Sequence, residues 1–514
     1  MKKTIYTTLL ILALVSCKKD TLNLVPQTQL SSGSFYKDAA QFNQALTGAY
    51  TYLRGIAFMG IYMDEMRSDN TFFTFYSADR GTGTSAEAYA EFIDNGTTSQ
   101  EPNTPGNRYG NAYSGIAAVN TILTQLNNSS LSSAEKNQIT GEALFLRAFY
   151  YYDLVTHYGG VPLQLEQVTD VDGAFMPRST ADEVYKQIIG DLTSAMPNLP
   201  VAKTFPQTGR ATQGAAKMLL AYAYMSEPTR EYQKAEAALI DITKMNYSLL
   251  PDYTSVFDLS NKNSQESIFE VQYKMGNDGQ QSDFAWRFIP KSSSAKLLIG
   301  IDVSNGGGSL RSGGWNVPTQ ELVDSYENGD KRLPASIGVV EGTLASEILT
   351  PTAVKSPVGY TPTAGVNFYY FVKKYLHPPY QVDWNTDDNF PVYRYSGALL
   401  LLAECLVAEG KAGEALPYLN RVRARAGLQA LTVANKESVA NEMRHELAFE
   451  NHRWTDLIRN GMAIDALKAK GQRLKAINGW LLPGTFNVTQ ERLIYAIPFR
   501  ELQINNKLTQ NPGY

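Results

Sequence analysis

The chain has 514 residues, of which 43% are hydrophobic and 19% charged, with a formal net charge of −4 and a pI near 5.8. That is the composition of a globular protein long enough for one large core or two subdomains. No concentration of Lys and Arg is present to displace counterions from a phosphate backbone, which excludes nucleic acid as a partner. Tyr is abundant, at 31 against 21 Phe and 5 Trp. Its flat apolar ring and polar tip suit wet interfaces and ligand platforms as well as the rim of a helical core.

Met1-Lys2-Lys3 is a short basic start, and Ile5 to Val15 is an apolar stretch interrupted by Thr7 and Thr8. It is too short to span a bilayer as a helix, so residues 1–16 are expected to be a signal peptide. Leu14-Val15-Ser16-Cys17 resembles a bacterial lipobox, which makes Cys17 the lipidated first residue of the mature protein. Several acyl chains on one Cys anchor stably where a single chain does not. Residues 17–34, opening with Lys18, Lys19 and Asp20, read as a polar tether. No later segment approaches 18 uninterrupted apolar residues, so the expectation is a protein that sits on a membrane without crossing it. The second cysteine, Cys405, lies in an apolar helical pattern and reads as a small buried hydrophobe, which leaves no disulfide framework.

Phe35 to Ile56 reads as the first helix, with Phe42, Leu46, Ala49 and Leu53 on one face. Asn111 to Leu126 is the second. Ser132-x-x-Glu135 is a capping box that opens a third, which His157-Tyr158-Gly159-Gly160-Val161-Pro162 closes. Thr180-x-x-Glu183 opens another, running through Ala195. Ala215 to Met225 pairs with Tyr232 to Met245 as a hairpin. Far downstream, Tyr395, Leu399, Leu402 and Leu406 form one stripe, and Ala415, Leu419, Val422 and Ala426 the returning one, ended by Gly427. Val439 to Phe449 and Trp454 to Leu467 follow. Pairs of roughly 34 residues look tetratricopeptide-like, and stacked hairpins bury a shared core while offering a surface to partners. Between them the pattern changes to Gly, Ser, Pro and Asn clusters and short strand-like runs such as Ser267-Ile268-Phe269-Glu270-Val271. The predicted fold is therefore mainly α, a helical-hairpin scaffold with an irregular insertion containing short strands. Its parts are a scaffold over 35–246, a loop-rich region over 247–390 and a C-terminal helical part over 391–514.

Several segments together resemble the SusD/RagB family. They include Phe35-Tyr36-Lys37-Asp38, Leu46-Thr47-Gly48-Ala49-Tyr50, and Gly141-Glu142-Ala143-Leu144-Phe145-Leu146-Arg147-Ala148-Phe149-Tyr150 running to Gly159-Gly160-Val161-Pro162. Gly209-Arg210-Ala211-Thr212, Leu419-Asn420-x-Val422-Arg423-x-Arg425-Ala426-Gly427-Leu428, Glu446-Leu447-Ala448-Phe449-Glu450 and Arg453-Trp454-x-Asp456-Leu457-x-Arg459 also fit, as does the closing Asn511-Pro512-Gly513-Tyr514. His445 departs from the family, where relatives read Glu-Arg-Arg-x-Glu-Leu. The resemblance implies an outer-membrane lipoprotein facing the cell exterior. It would capture oligosaccharides, or in some branches peptides, and deliver them to a SusC-like TonB-dependent barrel transporter, with no cofactor and no catalytic residues. Arg147, Glu404, Arg423, Arg425, Glu446, Glu450, Arg453 and Asp456 stand among apolar stripes. Charges there are seldom buried unpaired, so several are expected to lock hairpins together as ion pairs.

Enzyme signatures fail on the residues themselves. His445-Glu446 begins like a zinc motif, but position 449 is Phe, and the other histidines (His157, His377 and His452) are scattered. The Gly306–Gly308 run lacks the strand–helix setting and the Lys of a phosphate loop. The adjacent acids Asp64/Glu65 and Asp387/Asp388 read as solvated rather than as a glycosidase pair, which must face across a bond roughly 5–9 Å apart. A surface glycosidase is the alternative from another class. A sugar site needs flat rings and fixed polar groups. Asp69-Asn70-Thr71-Phe72-Phe73-Thr74-Phe75-Tyr76 with Arg80, and Trp286, Arg287, Trp315 and Trp384 in the insertion, supply both. Candidate ligand contacts are Asp69, Asn70, Tyr76, Trp286, Arg287 and Trp315. Trp454 and Trp480 are assigned to packing. Cys17→Ser is expected to abolish acylation and release the protein from membranes. Intact-mass measurement and membrane fractionation check this, and retention of the variant on membranes would contradict it.

Overall fold

The structure is a computed structural model of the chain, and residues 35–77, 86–95, 104–305 and 313–514 are described below. The expected signal peptide, Cys17, the tether and Arg80 lie outside the described residues. Helix α1 (Ala39–Gly60) starts where the Asp38 carboxylate accepts from the Gln41 amide, and it runs into a single π turn over Ile61–Glu65. After the short strand β1 (Thr71–Phe72) come α2 (Ala86–Glu91), α3 (Thr104–Asn127), α4 (Ser133–Tyr158) and α5 (Ala181–Ala195). Both predicted capping boxes form, Ser132 with Glu135 and Thr180 with Glu183. Gly159 closes α4 at φ 71°, a conformation open to glycine at little cost. Helices α6 (Gln213–Ser226) and α7 (Tyr232–Thr243) form the next hairpin, with Thr212 capping the first.

Strand β2 (Ser267–Val271) is the one the sequence predicts. The short helix α8 (Phe284–Phe288), strand β3 (Val317–Pro318) and helix α9 (Gln320–Ser325) follow. A meander then forms from β4 (Ile337–Ala345), β5 (Ile348–Lys355) and β6 (Asn367–Val372), in spatial order β5-β4-β6. Strand β7 (Phe390–Arg394) returns antiparallel to β2, with Ser267 opposite Arg394 and Val271 opposite Phe390. It leads straight into α10 (Tyr395–Ala408), then α11 (Ala412–Arg425), α12 (Lys436–Glu446), α13 (Arg453–Arg459), α14 (Ala463–Ile477) and α15 (Phe499–Ile504). Trp454 to Leu467, read as one helix, is two: Gly461, at φ 64°, breaks it between α13 and α14. Helix α12 also has a capping box the sequence reading missed, Asn435 with Ser438.

The hairpins stack through α1 on α3, α4 on α5, α6 on α7, and α10 against α7, α11 and α12. One continuous core runs from Phe42 on α1 to Ile497 and takes in β2, β4 and β7. A smaller core, around Trp286, Ile299, Val340, Leu349 and Phe371, sits inside the insertion. Cys405 is buried beside Met225, and burial raises its thiol pKa. Among the described residues no helix is long and apolar enough to cross a membrane.

All eight charged residues singled out in the sequence are ion-paired. Arg147 holds Asp191 at 2.7 Å, Arg459 holds Glu404 and Asp456 at 2.7 and 2.8 Å, and Arg453 holds Asp69 at 2.7 Å. The largest cluster centres on Arg394, which reaches Glu266 and Glu446 at 2.9 Å and Glu450 at 2.7 Å. Arg425 joins Glu266 and Glu446, Arg332 joins Glu442 and Glu446, Arg423 joins Glu442, and Lys374 holds Glu450 at 2.8 Å. Burial opposes ionisation of Glu446, but Arg425, Arg394 and Arg332 outweigh it and hold the carboxyl well below its usual range. His445 is stacked on Tyr326 and hydrogen-bonded to Ser325; burial, together with the surrounding arginines, depresses its pKa and keeps it neutral. Removing one partner of a buried pair leaves a naked charge and costs about 3–5 kcal/mol. Arg394→Leu is therefore expected to lower stability by at least that much in denaturant unfolding. Lys234→Ala, which removes an exposed pair with Glu231, should cost under about 1 kcal/mol. Equal losses would contradict this.

Candidate functional site

Two segments far apart in sequence are laced together at one end of the scaffold. β1 pairs antiparallel with β3, Thr71 opposite Pro318 and Phe72 opposite Val317. The Thr74 amide donates to the Gly314 carbonyl at 2.8 Å, and the Trp315 amide to the Arg287 carbonyl at 2.9 Å. Gly314 is required here: its φ is 80°, and a Cβ would lie 2.8 Å from the Tyr76 hydroxyl oxygen. These contacts bring all six sequence candidates into one neighbourhood.

They meet beneath the surface, however, and none exposes more than 7% of its area. Asp69 is clamped by Arg453 through both oxygens, at 2.7 and 2.8 Å; against the effect of burial, Arg444 and Arg453 hold it well below the usual carboxylate range. The Asn70 side-chain oxygen accepts from Arg444 at 2.8 Å. Next to them the buried Lys470 ammonium donates to the carbonyls of Met66, Ser68 and Thr71. The Tyr76 hydroxyl accepts from the Lys291 amide at 2.9 Å. Trp286 stacks on Trp384, ring centres 5.6 Å apart, within the smaller core. Arg287 forks onto Asp283 and lies over the Phe58 ring at 4.4 Å. Trp315 packs edge-on against Tyr62 at 5.3 Å. Burial thus keeps the six from the surface, with Asp69, the Asn70 oxygen, Tyr76 and Arg287 bonded within the protein itself.

What reaches the surface is the outer layer of this aromatic cluster. Trp315 contacts Phe73, Phe73 contacts Trp480, and Trp480 stacks on Phe75 with centres 4.5 Å apart and planes at 19°. Phe75 and Trp480 are both half-buried. Trp384, also half-buried, caps Trp286 at φ 53°. Polar groups border the pair: the Ser77 amide donates to Glu347 at 2.8 Å. Trp480, assigned to packing, does pack on Phe72 and Phe73 but keeps part of its surface open, whereas Trp454 is fully buried. The missed signal lay in its setting, Asn478-Gly479-Trp480 and Pro483-Gly484, a loop composition that holds an aromatic ring at the surface.

Of the adjacent acids, Asp64, Glu65 and Asp388 are buried rather than solvated, and Asp387 stays partly exposed. Asp64 is buried and bonded to Arg108 at 2.8 Å and to His157 at 2.7 Å; Arg108 and His157 overcome burial to keep its carboxyl low. Arg108 also forks onto Asp153. Asp388 is buried against His377 at 2.6 Å, and Asp387 lies 3.6 Å from Lys262. Among the described residues no group of three or more His, Cys, Asp or Glu is placed to hold a metal.

Helical hairpins, an inserted meander and a laced aromatic end together define a mainly α, tetratricopeptide-like scaffold fold. A family model described as "SusD family" matches residues 265–514, and one described as "Starch-binding associating with outer membrane" matches residues 31–225. The SusD-like proteins P38 and P25 of Formosa agariphila are 26% and 25% identical to it, over 100% and 98% of this chain and 99% and 98% of theirs. The solved structure of a laminarin binding SusD-like protein superposes with a TM-score of 0.74 at 26% identity, covering 93% of this chain and all of that one. The chain belongs to the SusD/RagB family.

Glu65, next to Asp64, is fully buried and accepts one bond, from the Asn451 amide. Burial pushes its carboxyl from 4.5 up to about 8. Between those values the unfolded chain has lost the proton and the native state keeps it, so Glu65 makes stability fall as pH rises through that window. Glu65→Gln is expected to gain stability over the parent from pH 4.5 to 8 and then level off, in denaturant midpoints taken across pH. Parallel curves would contradict this.

Proposed function

We propose that this protein is a cell-surface glycan-binding lipoprotein of the outer membrane, anchored through Cys17, that captures oligosaccharide and passes it unaltered to a TonB-dependent barrel transporter. The observation that carries the reading is the Phe75–Trp480 stack. Two near-parallel stacked rings, backed by Phe72 and Phe73, keep half-buried ring surface outside the stack, an apolar face on which the C–H face of a pyranose can rest. Asp69, Asn70, Tyr76, Trp286, Arg287 and Trp315 serve the ligand from below, by holding that platform rigid, so little ordering cost falls on binding. The starch-binding description of the matched family model and the laminarin-binding relative support a glycan as cargo. The buried acids support capture without cleavage, because Arg108 and His157 consume the Asp64 oxygens that general acid–base work would need free.

Aromatic anchors at the centre of a binding face are worth about 2 kcal/mol or more each. Phe75→Ala combined with Trp480→Ala is therefore expected to weaken oligosaccharide binding at least about tenfold in calorimetry with maltohexaose and laminarihexaose, with little change in melting temperature. Undiminished affinity in the double variant would overturn the assignment of the platform.

A further inference from the structure

A second cleft lies beyond the far end of β5. It has a volume of about 510 Å³ and is bounded by α9, the turn over Tyr326–Lys331, the connection from β5 to β6, and Tyr370 on β6. That volume is within the range of small-molecule sites. Its aromatic side chains are held by their hydroxyls. Tyr370 donates to the Gln320 side-chain oxygen at 3.2 Å, whose amide in turn donates to Asp324 at 2.8 Å. Tyr360 donates to the buried Glu341 at 2.9 Å, and Thr363 bonds the same oxygen at 2.6 Å, which pins the connection. Tyr370 is buried and backs the wall, so the ring open to a ligand is the half-buried Tyr360, whose hydroxyl is engaged by Glu341 and whose open surface is carbon.

The lips are glycines. Gly329 and Gly359 have φ of 86° and 64°, and an added Cβ at either would meet nothing within 4 Å, so backbone is open to close approach on both sides. The rim is balanced in charge. Glu327 is forked by Arg423 and Asp330 by Arg332, which leaves one exposed acid, Asp324, one exposed base, Lys331, and the neutral amide of Asn328. A fixed ring at Tyr360, open backbone and a rim with no excess of either sign fit an uncharged polyhydroxy ligand better than an anion or a cation.

We propose that this cleft is a second saccharide site, taking a short neutral oligosaccharide; the inference rests on the glycan reading above. The β4–β5 turn touches Ser77 through Glu347 on the platform side, and the opposite end of β5 leads into the cleft. Eight residues of strand, at roughly 3.3 Å each, set the two apart by about 25 Å. Two contacts on one polymer multiply affinity without new chemistry at either.

Hydrogen exchange read by mass spectrometry on the mature chain, with saturating maltohexaose or laminarihexaose, separates the two. Exchange should slow severalfold both in peptides over 326–334 and 356–363 and in those over 71–77 and 478–485. Tyr360→Ala and Asn328→Ala should each abolish only the cleft protection, with unchanged exchange over 337–345 showing that the sheet is intact. Protection of the platform alone, or cleft protection that survives both substitutions, would overturn the second site and leave the platform standing. Protection of the cleft alone would uphold the second site and remove the platform. No protection anywhere with either saccharide would end both.

Discussion

A charge taken out of water must find its opposite, and that constraint organises this protein. Arg394 stands where β7 becomes α10, and its guanidinium holds carboxylates from β2's approach (Glu266), from α12 (Glu446) and from the turn after it (Glu450). Each acid is shared with another cation: Arg425 on α11, Arg332 before β4, Lys374 after β6. Helices α10, α11 and α12 and the insertion cannot shift against one another without exposing one of these charges unpaired. Such networks add little net stability compared with an apolar core of the same shape, but they penalise alternative arrangements heavily.

The same logic reaches the aromatic end. Arg453 and Arg444, on α13 and α12, grip Asp69 and Asn70, and Lys470 on α14 satisfies three carbonyls of the same turn. The loop that carries Phe75 is thus fastened to the C-terminal helices, and β1–β3 pairing fastens it to the insertion. Three regions of the chain converge to fix one pair of rings. Rigid placement of a few aromatic rings, rather than reactive groups, is what a capture protein requires.

Much of the architecture is legible in the chain because it depends on local signals. The apolar stripe of Phe42, Leu46, Ala49 and Leu53, the Ser132 and Thr180 capping boxes, and the glycines after α4 and α11 each declare an element within a few residues. Charged residues inside apolar stripes correctly announce ion pairs, but not their partners: Asp191, Glu266 and Arg394 lie up to 159 residues away from theirs. The aromatic end is half legible. Its segments are recognisable by aromatic and polar content, and they do converge. Which side of the cluster faces water depends on how β1 meets β3 and on where the loop after α14 returns, and neither has a local signal. Asp69 and Trp315 therefore look like ligand groups and serve as foundations, while Trp480 looks like packing and lies at the surface.

Capture without chemical change is the claim on which the functional reading stands, and one titration tests it: calorimetry of the mature protein with defined oligosaccharides, followed by chromatography of the recovered sugar. Saturable binding with the saccharide recovered at its original length is the predicted result. Recovery of shortened products, or no heat from any glycan beside clear binding of peptides, would contradict it.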